Sequence, residues 1–429
     1  MIKNHLDTDE HSGHKRRLFK SRGAAWLCAA LAAGAAHAES SPYTIGAGIT
    51  FGRDNNLFRA PAGETVSDRY TVLSVFGGVD ETIGRQHVQA KGTLRRSDYQ
   101  KRDDLDNTGY GVLLGWNGAT ANEVSWNLSY NANRSLASYA TVLEAERRIP
   151  NIETSQQARA DLQVGMRAQW IATMMLSHRS IDYSAAAYAD DQYRLDTVGF
   201  GATWNPLGPV SISVGPRFGR GRYPQARAAT GGGFEADDFT RRDLDLGVKW
   251  VATGASTLTA RLSATRQRFD LLGDRDFDGA TGELRWLWQA TGKTKLNTVL
   301  TRDTGSETGF FDLSFLGDQQ RGTGDNSQVT NSIATRIDHE LTGKTALSLS
   351  LQYALRRLVA SSRLDDGSLF FNAGGIERSA SAVFGLRYTP TRNSVLGCDV
   401  GYYRRGTRTI LSTPYHANTF SCSAQLAIN

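Results

Sequence analysis

Nowhere does the sequence hold a run of about twenty apolar residues, the length a helix needs to cross a bilayer, so a helical membrane protein is excluded. Only 40% of the 429 residues are hydrophobic and mean hydropathy is −0.40. Cysteine (3), methionine (4) and proline (9) are scarce beside 44 glycines. Beyond residue 38 only four histidines occur, His87, His178, His339 and His416, scattered over different segments, and there is no Gly-x-Ser-x-Gly elbow. Nothing in such a set supports a grouping of nucleophile, base and orienting acid, so no enzyme and no cofactor is expected. A concentrated basic block is missing too. Net charge is +6, but removing the first 38 residues leaves 43 basic against 40 acidic residues, which argues against nucleic acid as a partner.

What the sequence does have is strict alternation. In Thr345–Arg356, Leu347, Leu349, Leu351, Tyr353 and Leu355 share one parity, while Ser348, Ser350, Gln352, Ala354 and Arg356 share the other. Successive side chains of a strand point to opposite faces, so one face is apolar and the other polar. The pattern recurs at Tyr43–Phe51, Val124–Ala132, Asp161–Trp170, Asp243–Trp250, Thr257–Ala264 and Phe420–Ile428. A transmembrane barrel meets its need for apolar surface with every second residue, which is how a membrane protein can have low mean hydropathy.

Residues 1–38 read as a secretory signal, with a basic stretch ending at Arg22, an apolar run Ala24–Ala33 and Ala36-His37-Ala38 before the cut. From 39 to 429 the chain reads as one antiparallel up-and-down β-barrel in the outer membrane. Short turns are expected near Glu81–Arg85, Ala119–Asn122, Ala172–Thr173, Pro206–Pro209, Thr253–Ser256, Thr291–Thr294, Thr342–Thr345 and Pro390–Ser394. Between them fall nine longer loops, among them Asp54–Ser67, Pro224–Asp238, Ser306–Gly324 and Ser361–Gly375, the third a candidate plug carrying Phe310–Leu316. That rhythm gives about eighteen strands (16–18), with short turns in the periplasm and long loops outside.

All seven tryptophans after the signal lie on the apolar parity near a short turn, the signature of an interfacial girdle. The opposite parity, expected to face the lumen, carries Lys91, Arg95, Arg159, Arg167, Arg217, Arg261, Arg285, Arg336, Arg356 and Arg387. Such residues either brace the wall by pairing with carboxylates such as Asp161, Asp243, Asp245, Asp338 and Asp399, or favour an anionic or hydroxyl-rich solute in the channel.

Three smaller patterns invite chemistry. Gly292-Lys293-Thr294 and Gly343-Lys344-Thr345 look like the end of a phosphate-binding loop, but the upstream glycine is missing and no helix follows, so both read as hairpin turns. Asp274, Asp276 and Asp278 match the first half of a calcium loop, yet Arg285 stands where the twelfth-position Glu should be, and an Asp-rich turn is the reading preferred to a metal site. Cys398 and Cys422 share the apolar parity, and antiparallel pairing centred on Ile410 sets them opposite one another, a candidate disulfide in an oxidising envelope.

The stretch Ser41–Arg59, with Gly84-Arg-Gln86, Asn107–Gly111, Ala132–Tyr139, Gly397–Gly401, Pro414–Phe420 and Ser421–Gln425, resembles the EpsL-type proteins of exosortase-associated exopolysaccharide operons. What the resemblance implies is an outer-membrane barrel of the second group of β-barrel porins, exporting extracellular polysaccharide. Its partners would be outer-membrane lipid, that polysaccharide and other exopolysaccharide-export proteins. Two rival readings stand beside it: a general porin for small solutes, and a non-conducting scaffold of an export complex.

Overall fold

A computed structural model describes residues 41–428, apart from 122, 140–147, 166–168, 207, 229–232, 272, 305–326, 364–368 and 410–411. The expected signal, the candidate plug Phe310–Leu316 and Arg167 therefore lie outside the described residues. The first six strands are β1 (Tyr43–Asp54), β2 (Asp68–Ile83), β3 (Gln86–Tyr99), β4 (Asn107–Ala119), β5 (Val124–Leu136) and β6 (Ile152–Val164). Next come β7 (Trp170–Tyr183), β8 (Tyr193–Trp204), β9 (Val210–Ala228), β10 (Phe234–Thr253), β11 (Ser256–Phe269) and β12 (Phe277–Thr291). The last six are β13 (Thr294–Asp303), β14 (Ser327–Thr342), β15 (Thr345–Arg363), β16 (Leu369–Thr391), β17 (Ser394–Thr407) and β18 (Tyr415–Ile428). Each pairs antiparallel with the next and β18 returns to β1, which closes an 18-stranded sheet. Closure satisfies every ladder without an open edge, a condition that hydrocarbon imposes on any strand crossing it.

Register decides which residues face out. Residues directly opposite in an antiparallel pair share a face, so Trp250, Leu258 and Trp286, paired in sequence across β10, β11 and β12, stand in one outward row. Leu262 (59% exposed), Leu244 and Leu246 continue that apolar exterior toward the far end. At the short-turn end Trp170 pairs with Trp204, Trp116 meets Trp126 edge-on at 5.7 Å, and Trp286 stacks on Trp288 at 5.2 Å. An apolar band with an aromatic girdle at its edge is the exterior of a barrel that spans the outer membrane.

One strand boundary differs from the sequence reading. Asp161–Trp170 is not a single strand: β6 stops at Val164 and β7 starts at Trp170, so the strands end on either side of 165–169 and Ala172–Thr173 falls inside β7. Gly165 follows β6 with φ +96°, a conformation open to glycine, and its N–H donates to the Glu123 carbonyl. Five intervening residues leave Val164 and Trp170 with the same parity, so alternation in the sequence continues across them undisturbed. Two loops also prove shorter than expected. β9 and β10 extend to Ala228 and from Phe234, and β15 and β16 to Arg363 and from Leu369, taking strands into the segments read as loops at 224–238 and 361–375. At 19 to 23 residues, β9, β10, β15 and β16 are far longer than the ~9–11 a membrane crossing needs. The excess projects outside, where no lipid selects for apolar alternation.

This topology has a direct test. A thiol at Thr65→Cys, in the exposed loop after β1, should react with a membrane-impermeant maleimide on whole cells, and one at Gly343→Cys should stay silent until the outer membrane is breached. Labelling of Gly343→Cys alone on intact cells would mean that the barrel is upside down.

Candidate functional site in the barrel lumen

Nine of the ten basic residues expected in the lumen stand on the inward parity of their strands: Lys91 and Arg95 (β3), Arg159 (β6), Arg217 (β9), Arg261 (β11), Arg285 (β12), Arg336 (β14), Arg356 (β15) and Arg387 (β16). The tenth, Arg167, is outside the described residues. Most of the nine are engaged with carboxylates. Arg159 meets Asp161 at 2.6 Å, Arg285 meets Glu283 at 3.1 Å and Arg336 meets Asp338 at 2.8 Å, each two residues along one strand. Such a spacing keeps both groups on one face of the strand.

Other pairs cross the sheet. Arg217 lies 3.3 Å from Asp243 and 3.0 Å from Asp245, and Arg261 lies 3.6 Å from Asp245. Arg241, 2% exposed, reaches Asp243 at 3.0 Å and Asp303 at 3.1 Å, and donates to Thr304 Oγ1. Further round the wall, on β15–β17, Glu377, fully buried, sits 2.7 Å from Arg356 and 3.7 Å from Arg405, and accepts from Ser412. Sequence reasoning missed Arg241, Arg405 and Glu377. A usable signal was present: Arg95-Arg96, Arg241-Arg242, Arg356-Arg357 and Arg404-Arg405 are adjacent pairs, and strand alternation must send one member of each inward.

Toward the outside the two faces exchange character. Within the membrane the wall is apolar outward and polar inward, whereas above it aromatic clusters fill the interior. Phe58, Leu105, Tyr139 and Tyr188 form one, and Ile181, Tyr193, Leu195 and Phe239 another. Burial pushes the Tyr139 phenol above its usual range, and its hydroxyl donates to the Ile149 carbonyl. Gly221 lies beneath Phe239, where an added Cβ would come 2.1 Å from the ring, so this position needs glycine for the ring to lie flat.

Beside these clusters the lumen keeps a cavity of about 290 Å³. Its wall joins Arg95, Tyr99, Arg336, Ser350, Gln352 and Tyr403, drawn from β3, β14, β15 and β17. Arg95 donates to Asn133 Oδ1. Hydroxyl, amide, phenol and guanidinium groups around one space can donate to and accept from a polyhydroxylated or anionic solute.

The remaining sequence patterns fall as follows. Asp276 accepts the Phe269 N–H, and both Asp276 and Asp278 are ion-paired to Arg268, so two of the three carboxylates of the calcium pattern serve a guanidinium; Asp274 lies in a single helical turn, Gly273–Arg275. Cys398 and Cys422 are opposite one another in the β17–β18 register, Cα atoms 4.1 Å apart, and their sulfurs are bonded. Gly292-Lys293 and Gly343-Lys344 each join two strands as hairpin turns. His87 meets Asp80 at 2.7 Å and His178 meets Asp196 at 2.6 Å, on opposite faces of the wall.

No family model and no curated protein matches the chain. Among solved structures it is similar to the outer membrane protein OpdK from Pseudomonas aeruginosa, with 13% identity and a TM-score of 0.44 over 90% of this chain and 99% of that one. OccK2 (OpdF) of the same organism gives 12% identity and 0.46 over 91% and 98%, and the ferric citrate transporter FecA gives 9% and 0.41 over 91% and 79%. What makes this chain a barrel is its own closed ladder of eighteen strands with an apolar exterior.

Proposed function

We propose that the barrel is a conduit for extracellular polysaccharide across the outer membrane. The observation that carries this reading is the lumen cavity, where Ser350, Gln352, Tyr99 and Tyr403 share one wall with Arg95 and Arg336. A sugar chain presents hydroxyls at short intervals and faces of C–H bonds between them, so hydroxyl and amide partners with phenol rings suit it better than a uniformly charged wall would. The resemblance to EpsL-type proteins supports the same substrate class. A second reading, a general porin for small solutes, is favoured by the cavity's size. At about 290 Å³ it has room for only one or two sugar units at a time, so a polymer would have to thread through it.

Single-channel recording in a planar bilayer separates the two. A polysaccharide conduit should conduct, and an acidic oligosaccharide of several residues should interrupt the current at lower concentration than a disaccharide does. In the double variant Arg95→Ala/Arg336→Ala the oligosaccharide block should weaken by about tenfold, the loss of one charge-assisted hydrogen bond's worth of binding. Equal block by both sugars would favour the general porin. A folded barrel that never conducts would leave only the scaffold reading.

A further inference from the structure

The outward face of the extracellular strand ends carries a collar of arginines that the lumen does not explain. Arg53 lies opposite Arg69 across β1 and β2, Arg194 opposite Arg222 across β8 and β9, and Arg242 opposite Arg266 across β10 and β11. All six are exposed. Their parity is the lipid-facing one, since Leu244, Leu246, Val248 and Trp250 follow Arg242 on the same side of β10. The outer members of the arginine doublets, Arg357 and Arg404 among them, continue the collar around the barrel.

Depth places the collar. Eight residues separate Trp250 from Arg242, which at ~3.4 Å per residue is about 27 Å along the strand and, at a tilt near 40°, about 20 Å of membrane depth. An apolar band is ~25 Å tall, which leaves the Arg242 backbone about 5 Å below its outer edge, a gap that a long arginine side chain spans to bring its guanidinium to the head-group level of the outer leaflet.

Like charges directly opposite on one face destabilise a sheet pair. Within the described residues Arg53, Arg69, Arg194 and Arg242 meet no carboxylate, and Arg222 and Arg266 reach Asp238 and Asp278 only at 3.6 and 3.8 Å. An anion from outside the chain removes that repulsion. Lysine is missing from these strand positions, although Lys91 and Lys249 occur on the inward parity. Arginine rather than lysine is the residue whose planar fork matches phosphate oxygens two at a time. Beneath the Arg242–Arg266 pair lie Leu244 and Ala264, then Leu246 and Leu262, an apolar surface for acyl chains.

We propose that this collar binds the phosphate groups of the phosphorylated glycolipid of the outer leaflet, one phosphate between the guanidinium groups of each opposed pair. The assignment is independent of what passes through the lumen. It orients the barrel in the membrane and holds an annulus of glycolipid around it.

Native mass spectrometry of the purified protein tests this with three probes: a diphosphorylated glucosamine-disaccharide lipid, the same lipid without phosphates, and phosphatidylglycerol. The wild-type barrel should retain the diphosphorylated glycolipid at least about tenfold over the phosphate-free form, and over phosphatidylglycerol as well. Replacing Arg53, Arg69, Arg242 and Arg266 with Gln should abolish the preference, four Lys substitutions should restore part of it, and Lys249→Gln, inside the barrel, should leave it intact. Equal retention of the phosphate-free lipid by the wild type overturns the proposal without recourse to any variant. Equal retention of phosphatidylglycerol overturns the choice of glycolipid.

Discussion

Glu377→Gln should lower the unfolding free energy of the barrel by about 3–5 kcal/mol, the cost of removing one partner from a buried ion cluster. Glu377 is 0% exposed and holds Arg356 (11%) and Arg405 (1%) on either side. Neutralising it removes the carboxylate charge shared by the buried Arg405 and the largely buried Arg356. The cluster also ties β15, β16 and β17 to Ser412 in the last outer loop, so its loss should loosen the mouth first. Urea titration in lipid vesicles, read by the gel shift between folded and heated forms, measures the change. A shift below 1 kcal/mol would mean that water already reaches the site. The triple variant Glu377→Gln/Arg356→Met/Arg405→Met provides the control: with all three charges gone, most of the loss should return.

Much of the wall was legible in the sequence, because the bilayer enforces a period of two. Leu347 through Leu355 alternate with Ser348 through Arg356 since one face meets lipid and the other water, and a slip of one residue would reverse every side chain. The tryptophans mark the girdle for the same reason. Where that selection stops, legibility stops. Ala226 and Arg363 lie on strand ends beyond the membrane, and with no lipid to demand an apolar face they resemble loop. The break after Val164 is hidden by arithmetic, since five residues preserve parity. The lumen residues follow from parity, but their partners do not. Arg241 on β10 and Asp303 on β13 are 62 residues apart and meet across the curved inner wall, whose curvature depends on tilt and stagger that no single strand encodes.

Leu262→Arg should cost about 2–4 kcal/mol, the price of an arginine near the bilayer midplane on a lipid-facing strand position, although its neighbour in sequence is already an arginine. Leu262 is 59% exposed on the outward parity of β11, opposite Leu246 and Gly282, midway between the row containing Trp250 and the outward Arg266. Arg261 points the other way, 3.6 Å from Asp245 and within hydrogen-bond reach of Ser263 at 2.9 Å. The same chemical group is thus tolerated or excluded according to which side of a 10 Å-scale wall it occupies. The effect should grade with depth along this strand. Ala264→Arg, one outward step closer to the collar, should cost less than Leu262→Arg, and an added arginine beside Arg266 should approach the ~0–1 kcal/mol of the interface. Vesicle refolding followed by urea titration gives the series. A flat profile from Ala260 to Ala264 would contradict the membrane depth assigned to the outward face, and with it the position of the arginine collar.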